Sequence, residues 1–259
     1  DLGGSWSDVA FPYRGWDRKQ KWAQPQLLWD RQTRTAFLMF SNITLAPGGC
    51  DGIENEHGFL QLRSTDRGLS WGDFTNVQAH LQPECNSCTS PTSGVGLQLS
   101  QGPHKGRQLF IGPHNSYHGD VVVFSDDGGR SYRCSMDLHK PGMDEGSIAE
   151  LRNGSVMAIL RNNGECPGCG SGNRFMYSTS EDGGQHWGPI RRHPDLVTPI
   201  CQASLITMTD GSLLFAGPYS STSQRHNLTV LGSADGTRFD RALQLLPPGV
   251  PAGYTGLQC

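Results

Sequence analysis

The sequence predicts an all-β protein, a β-propeller of which this chain contains about four complete blades plus a partial first blade and a partial last blade. Two observations predict this fold. A unit of the form Ser-x-Asp-x-Gly-x-x-aromatic recurs along the 259 residues, and short apolar strands with turn residues between them, such as RQLFIGP and SVMAILR, fill the intervals. Repeats of roughly 40 to 60 residues with this composition are typical of propeller blades.

The repeating unit, here named the box, sets the number of blades. Full copies occur at Ser64–Trp71, Ser125–Tyr132 and Ser180–Trp187, a truncated copy opens the chain at Asp1–Trp6, and a degenerate copy lies at Ser233–Phe239. Successive aromatic positions are 65, 61, 55 and 52 residues apart. Five boxes predict four complete blades and parts of two more. We therefore expect a single propeller domain over residues 1–259 that is truncated at both ends.

The residues of the box suit a structural role. Its Ser and Asp side chains can hydrogen-bond to the backbone of the turn, its Gly accepts a positive φ, and its aromatic residue can pack into the blade. Such turns would lie at the periphery of the ring, too far apart to share one reactant. The residues to which we assign this role are Asp66, Asp127, Asp182, Trp71 and Trp187.

Composition excludes several classes of function. The net charge of −3 comes with no cluster of Lys and Arg, so no nucleic-acid partner is expected. No apolar run approaches the roughly 18 residues of a membrane span. Eight cysteines and three Asn-x-Ser/Thr sequons, at Asn42, Asn153 and Asn227, indicate a lysosomal or secreted glycoprotein with at least one disulfide. The two Cys-x-x-Cys pairs are too far apart for a zinc ribbon, so we expect no metal site.

One hairpin, DEGSIAELRNGSVMAILRN, carries the candidate chemistry. With Asn153-Gly154 as a two-residue turn, position 145 lies opposite position 162, so Glu145 and Arg161 are near neighbours at the open end of the hairpin. The next hairpin turns at Asp210-Gly211 and leads into a loop that carries Arg225 on the same rim. Because a guanidinium offers a planar fork that matches a carboxylate, this rim is a candidate site for an anionic ligand.

The boxes and this Glu/Arg pattern resemble the sialidase (neuraminidase) family with Asp-box repeats, six-bladed propellers that hydrolyse terminal sialic acids. The animal lysosomal type and its bacterial relatives are the most similar, and the stretches LVTPICQASLI, SQRHNLTV and PPGVPAGYTGL extend the resemblance along the chain. The resemblance implies that Arg161 and Arg225 bind the substrate carboxylate, that Tyr254 is the nucleophile, and that Glu145 is paired with it. It implies a sialylated glycoconjugate as substrate and no metal or organic cofactor.

The chain also departs from the family pattern. The first arginine of the family, in a Phe-Arg-Ile-Pro-like motif, and its acid/base aspartate have no counterpart here. We therefore expect the intact parent to be a retaining exo-α-sialidase and this chain to be inactive alone, its partners being the remainder of its own propeller or other subunits. The alternative is a catalytically inactive propeller that binds glycans or proteins within a larger assembly.

Overall fold

The strands form four blades of a β-propeller. The computed structural model describes residues 20–44, 55–85, 89–114, 118–164 and 172–258. Seventeen strands in these ranges form four sheets, and consecutive strands within each blade pair antiparallel. The prediction of an all-β propeller is confirmed for these four blades; the opening box at Asp1–Trp6 lies outside the described residues. None of the helices in this part of the chain is long and apolar enough to cross a membrane.

The blades follow one another along the chain. Blade 1 contains β1 (Gln20–Asp30), β2 (Thr35–Thr44), β3 (Asn55–Ser64) and β4 (Gly72–Asn76), with β5 (Gly94–Val95) parallel to β1. Blade 2 contains β6 (Leu97–Gln98), β7 (Gln108–Pro113), β8 (Asp120–Ser125) and β9 (Arg133–Ser135). Blade 3 contains β10 (Met143–Glu150), β11 (Val156–Asn162), β12 (Arg174–Ser180) and β13 (Arg191–Val197). Blade 4 contains β14 (Ser204–Thr207), β15 (Leu213–Pro218), β16 (Leu228–Ser233) and β17 (Arg241–Gln244). Two 3₁₀ helices, Gln78–His80 and Pro83–Cys85, follow blade 1.

The hydrophobic core lies between neighbouring blades. Along β7, Leu109 and Ile111 belong to the cluster shared with blade 3, whereas Phe110 belongs to the cluster shared with blade 1. Along β11, Ala158 faces blade 2 and Ile159 faces blade 4 in the same alternating manner. A strand buried on both faces is apolar at every position, which explains why these segments show no polar alternation in the sequence.

Each box connects the third strand of its blade to the fourth. In the box at residues 180–187, Asp182 Oδ1 accepts hydrogen bonds from Ser180 Oγ at 2.9 Å and from the backbone N–H of His186 at 2.8 Å. Ser180 Oγ accepts from the N–H of Gly184 at 2.8 Å, and Trp187 Nε1 donates to the Gly184 carbonyl at 3.1 Å. The turn is thus held by its own side chains. Equivalent carboxylate and hydroxyl contacts occur at Asp66 and Asp127.

The boxes also contact the preceding blade. Arg63 at the end of β3 donates to the carbonyl of Gly129 in the box of blade 2. Arg107, just before β7, donates from Nη1 to the carbonyl of Gly183 in the box of blade 3 at 3.0 Å. Each of these arginines therefore joins two adjacent blades through a box carbonyl.

The hairpin at Asn153-Gly154, predicted to have a two-residue turn, has a three-residue turn, and so does the hairpin at Asp210-Gly211. Leu151 N–H donates to Ser155 O at 2.7 Å, and Met208 N–H donates to Ser212 O at 2.8 Å. The glycines that precede the closing residues, Gly154 and Gly211, have φ of +88° and +79°. A three-residue hairpin loop of this kind is built from a type I turn followed by a residue in the left-handed region, and glycine is the residue that best tolerates that region.

A disulfide joins blades 1 and 2, so the prediction of at least one disulfide is confirmed. It links Cys85, in the second 3₁₀ helix, to Cys134 in β9, with 6.5 Å between the Cα atoms. Cys201 is a buried free cysteine. Both Cys-x-x-Cys pairs fall partly or wholly outside the described residues.

Candidate active site

Arg161 lies between two carboxylates at the open end of the β10–β11 hairpin. Asp144 is its direct cross-strand partner, with Oδ2 3.3 Å from Arg161 Nε. Neighbouring residues of a regular strand point to opposite faces, but the pairing shifts between Asp144 and Ser147, and this bulge allows Glu145 to form an ion pair with Arg161 Nη1 as well. The predicted proximity of Glu145 and Arg161 is therefore confirmed. The predicted register is wrong, because Met143 and not Glu145 lies opposite Asn162.

Burial strongly affects the carboxyl groups around Arg161. Asp144 and Glu145 are each only 2% exposed. Burial raises the pKa of Asp144 to about 6, even though Arg161 lowers it. Behind them Asp120 is fully buried and accepts a hydrogen bond from Gly146 N–H at 3.1 Å. Burial, reinforced by the charge of Asp144, raises the pKa of Asp120 well above its usual value. The protonation of Asp144 is consequently sensitive to pH in the mildly acidic range.

Tyr254 approaches Glu145 from the segment that follows blade 4. Its hydroxyl hydrogen-bonds with Glu145, and burial together with the Glu145 charge raises the pKa of the phenol above its usual value. The hydroxyl is therefore protonated at neutral pH, with a carboxylate beside it that can accept the proton. The backbone of Tyr254 has φ of +44°, a region that aromatic residues rarely adopt.

These side chains line one pocket of about 350 Å³, within the range of small-molecule sites. It lies where β1 and β10, the first strands of their blades, begin. Because third strands run in the same direction as first strands, the boxes that follow them lie on the opposite face of the propeller. The box aspartates are thus far from this pocket. The lining residues are Ala23, Gln24, Asp144, Glu145, Arg161 and Tyr254.

Arg225 lies at the edge of the pocket. Its guanidinium is over the Tyr254 ring, 5.7 Å from the ring centroid, and Nη2 donates to the Ile200 carbonyl at 2.9 Å. The side chain is exposed and does not line the pocket. The structure therefore brings Glu145, Arg161 and Tyr254 together in one pocket and places Arg225 on the face of the tyrosine.

A second cavity, of about 310 Å³ beside Leu28 and Ile148, has no such group of charges. Its lining contains one carboxylate, Glu150, which accepts hydrogen bonds from Ser100 Oγ at 2.6 Å and Ser100 N–H at 2.8 Å. The hydrogen-bonding capacity of Glu150 is used in joining blades 2 and 3. The pocket around Tyr254 is the better candidate for chemistry.

Sequence reasoning assigned no role to Asp144 or Gln24. A regular strand would place Asp144 on the face opposite to Glu145, and only the bulge brings both to Arg161. Gly146 was an available signal, because a glycine within a strand often marks a bulge. Gln24 lies at a register shift in β1 and has φ of +56°, in a stretch that contains no recognisable motif.

The repeated blades and their boxes define a propeller of the BNR class. The family model described as "BNR repeat-like domain" matches residues 5–249, and the chain belongs to this family. Its relatives include sialidases. The chain is 32% identical over 234 residues to the sialidase of Micromonospora viridifaciens, an alignment that covers 83% of this chain and 35% of the relative. The chain thus spans about a third of the length of this curated relative.

Solved structures share the fold. The intramolecular trans-sialidase from Ruminococcus gnavus, in complex with oseltamivir carboxylate, matches with a TM-score of 0.75 and 16% identity over 96% of this chain and 72% of that one. The Hadza microbial sialidase Hz136 matches with a TM-score of 0.73 and 21% identity over 88% of this chain and 46% of that one. At these identities, the likeness shows the fold alone.

Proposed function

We propose that this chain forms the greater part of the catalytic propeller of a retaining exo-α-sialidase, which releases terminal sialic acids from glycoconjugates. The observation that carries the proposal is the meeting of Tyr254, Glu145 and Arg161 in one pocket. The sequence likeness to the Micromonospora viridifaciens sialidase supports the reaction class.

In this proposal, the arginines orient the sugar. Sialic acid carries a carboxylate on its anomeric carbon, and the guanidinium groups of Arg161 and Arg225 can each donate two parallel hydrogen bonds to a carboxylate. Arg161 is held by Asp144 and Glu145, and Arg225 by the Ile200 carbonyl. Such fixed donors place the anomeric carbon against the pocket wall that contains Tyr254.

The Tyr254–Glu145 pair supplies the nucleophile. A carboxylate nucleophile would approach the anionic substrate against like charge, whereas the protonated phenol of Tyr254 is neutral until it reacts. As the phenol oxygen bonds to the anomeric carbon, its proton passes to Glu145 and the glycosidic bond breaks. A general acid outside the residues that line this pocket protonates the leaving oxygen. Water then cleaves the sialyl–tyrosine bond, so that two displacements retain the configuration.

We further propose that the complete ring has six blades. The apolar side chains of Leu27 and Trp29 in β1, and of Leu243 in β17, are exposed on the first and last described blades. Adjacent blades would cover such surfaces and the strand edges beside them. In the full-length protein these side chains should resist hydroxyl-radical footprinting; strong modification there would contradict a closed ring.

The catalytic proposal is tested with a fluorogenic sialoside and the full-length protein. Tyr254→Phe should lower kcat at least about a thousandfold because it removes the nucleophile. Arg225→Ala should chiefly raise KM because it removes a carboxylate contact. Tyr219→Phe is the matched control, since it removes one hydroxyl that donates to Asp195 O at 2.8 Å outside the pocket.

Two results would contradict this proposal. If Tyr254→Phe and Arg225→Ala each leave turnover unchanged, the assigned roles are wrong. If the wild-type protein binds a sialoside without cleaving it, the alternative of a catalytically inactive glycan-binding propeller is correct.

A further inference from the structure

The side chain of Gln202 pairs with the backbone of the residue next to Tyr254. Gln202 precedes β14 and is 1% exposed. Its Oε1 accepts a hydrogen bond from Thr255 N–H at 2.9 Å, and its Nε2 donates to Thr255 O at 3.1 Å. The backbone N–H and C=O of Thr255 are therefore both hydrogen-bonded by one side chain, which lies 53 residues away in the sequence.

The same amide connects this segment to the opposite wall of the pocket. Gln202 Nε2 also donates to Ser93 O at 3.0 Å, across 109 residues of sequence. Ser93 Oγ in turn hydrogen-bonds to Gln24 Oε1 at 3.0 Å, and Gln24 lines the pocket. Gln202 is thus the link between the wall formed by β1 and the segment that carries Tyr254.

The neighbours of Tyr254 hold its backbone. Its positive φ is sparsely populated by residues with a Cβ and persists only where the surroundings enforce it. On one side, Ala252 N–H donates to Arg225 O at 2.9 Å. On the other, Thr255 is bound by Gln202 and donates from Oγ1 to Ala216 O at 2.5 Å.

We propose that Gln202 is a positioning residue for Tyr254. By binding both backbone groups of Thr255 and joining them to Ser93, it keeps the Tyr254 hydroxyl against Glu145. The kinetic consequence rests on the function proposed above, whereas the conformational consequence can be measured without turnover.

The first test compares Gln202→Leu with Gln26→Leu in the full-length protein. Gln26 is the matched control: it is 2% exposed and makes the same two-bond contact with a backbone residue, Ile111, at 3.2 and 3.3 Å. Gln202→Leu should lower kcat about a hundredfold through misplacement of the nucleophile, with KM changed by no more than about threefold because both arginines remain. Gln26→Leu should lower the Tm and leave kcat within about twofold of wild type.

A second variant, Gln202→Glu, tests the hydrogen-bond pattern. The carboxylate can accept from Thr255 N–H but cannot donate to Thr255 O or Ser93 O. Burial raises the pKa of such a carboxyl, and its protonation restores one donor. The kcat of Gln202→Glu relative to wild type should therefore rise as the pH is lowered from 7 to 5.

A third measurement separates this inference from the proposed function. Hydrogen exchange at the Thr255 amide should accelerate at least about tenfold in Gln202→Leu and not in Gln26→Leu, since only the former removes its acceptor. If wild-type protein cleaves no sialoside, the proposed function fails, yet this exchange result still supports positioning. Unchanged exchange in Gln202→Leu, or an equal loss of kcat in the two leucine variants, would overturn the inference.

Discussion

Asp144 and Glu145 are adjacent in the chain and share one guanidinium. Both carboxyls are buried and approach Arg161, and Asp144 also accepts a hydrogen bond from Asn163 Nδ2 at 3.1 Å. One cation cannot fully compensate two buried anions in a site of low polarity. Asp144, with a pKa of about 6, takes up a proton in the mildly acidic range, and this removes one of the two buried negative charges. The pocket therefore changes charge in the mildly acidic range.

Replacing Asp144 by asparagine should change how the stability of the fold depends on pH. The pKa of Asp144 is about 6 in the folded state and usually 3.8, so the folded state binds more protons between these values. Its contribution to the free energy of unfolding is therefore complete below about pH 4 and is lost as the pH rises through about 6. Asp144→Asn has no carboxyl at this position and so does not lose stability in this way. The difference in Tm, variant minus wild type, should therefore increase as the pH is raised from 4 to 7.5. Parallel Tm curves for the two proteins would contradict the assignment.

At the scale of elements, the box is a turn whose carboxylate is fixed by short hydrogen bonds. The hydroxyl and N–H of Ser70 lower the pKa of Asp66 to about 2. At Asp127 and Asp182, partial burial acts in the opposite direction, but hydrogen bonds from Ser131 and His186 outweigh it and lower each pKa to about 2. The charged form of each aspartate is thus part of the folded turn.

Acid should unfold the boxes in a defined window. A carboxyl with a folded pKa of about 2 and a usual value of 3.8 stabilises the fold above about pH 4, and this contribution is lost as the pH falls toward 2. Asp127→Asn and Asp182→Asn should therefore lower the Tm at pH 7 and show a smaller further loss on acidification than wild type. Asp240→Asn, at an exposed position, is the control. An acid transition unchanged in both box variants would show that these turns do not control it.

The strands and boxes could be predicted from the local sequence, but the register of the β10–β11 hairpin could not. The apolar runs identify strands that are buried on both faces, and the Ser, Asp and Gly of each box specify their turn. The Asn153-Gly154 pair fits either a two-residue or a three-residue loop, and the structure has the three-residue form. A second shift then occurs at the bulge beside Glu145. The three-residue loop and the bulge together shift the strand pairing by two positions from the predicted register. The predicted register therefore gave no reason to assign a role to Asp144.

At the scale of the whole molecule, the pocket exists only because distant segments converge. Glu145 and Arg161 are 16 residues apart and could be paired from the hairpin pattern. Gln24, Ser93, Gln202 and Thr255 are joined by hydrogen bonds across 53 to 109 residues, and no local spacing predicts such contacts. The resemblance to a known family predicts a role for Tyr254, but it does not indicate the Gln202 side chain that hydrogen-bonds to the backbone of Thr255. Those contacts depend on how the blades stack around the axis.

The disulfide stabilises the outer part of this stack. The apolar cluster shared by blades 1 and 2 extends from Leu28 in the inner strand β1 outward to Cys85, which follows β4. Cys134, in the outermost strand of blade 2 (β9), packs against this cluster. The bond closes a loop with a sequence separation of 49. By loop entropy, a cross-link of this length stabilises the fold by about 4 kcal/mol, and measured losses are commonly about 2–5 kcal/mol.

Replacing both cysteines by serine should therefore lower the free energy of unfolding by about 2–4 kcal/mol in urea titrations. The pocket is built from β1, β10, β11 and the segment of Tyr254, none of which contains either cysteine, so kcat at 25 °C should be unchanged. Reductant should shift the midpoint of wild type toward that of the double variant. Because Cys85 is fully buried, this reduction should become fast only where the protein begins to unfold. Equal midpoints for wild type and the double variant would mean that the apolar clusters alone hold blades 1 and 2 together.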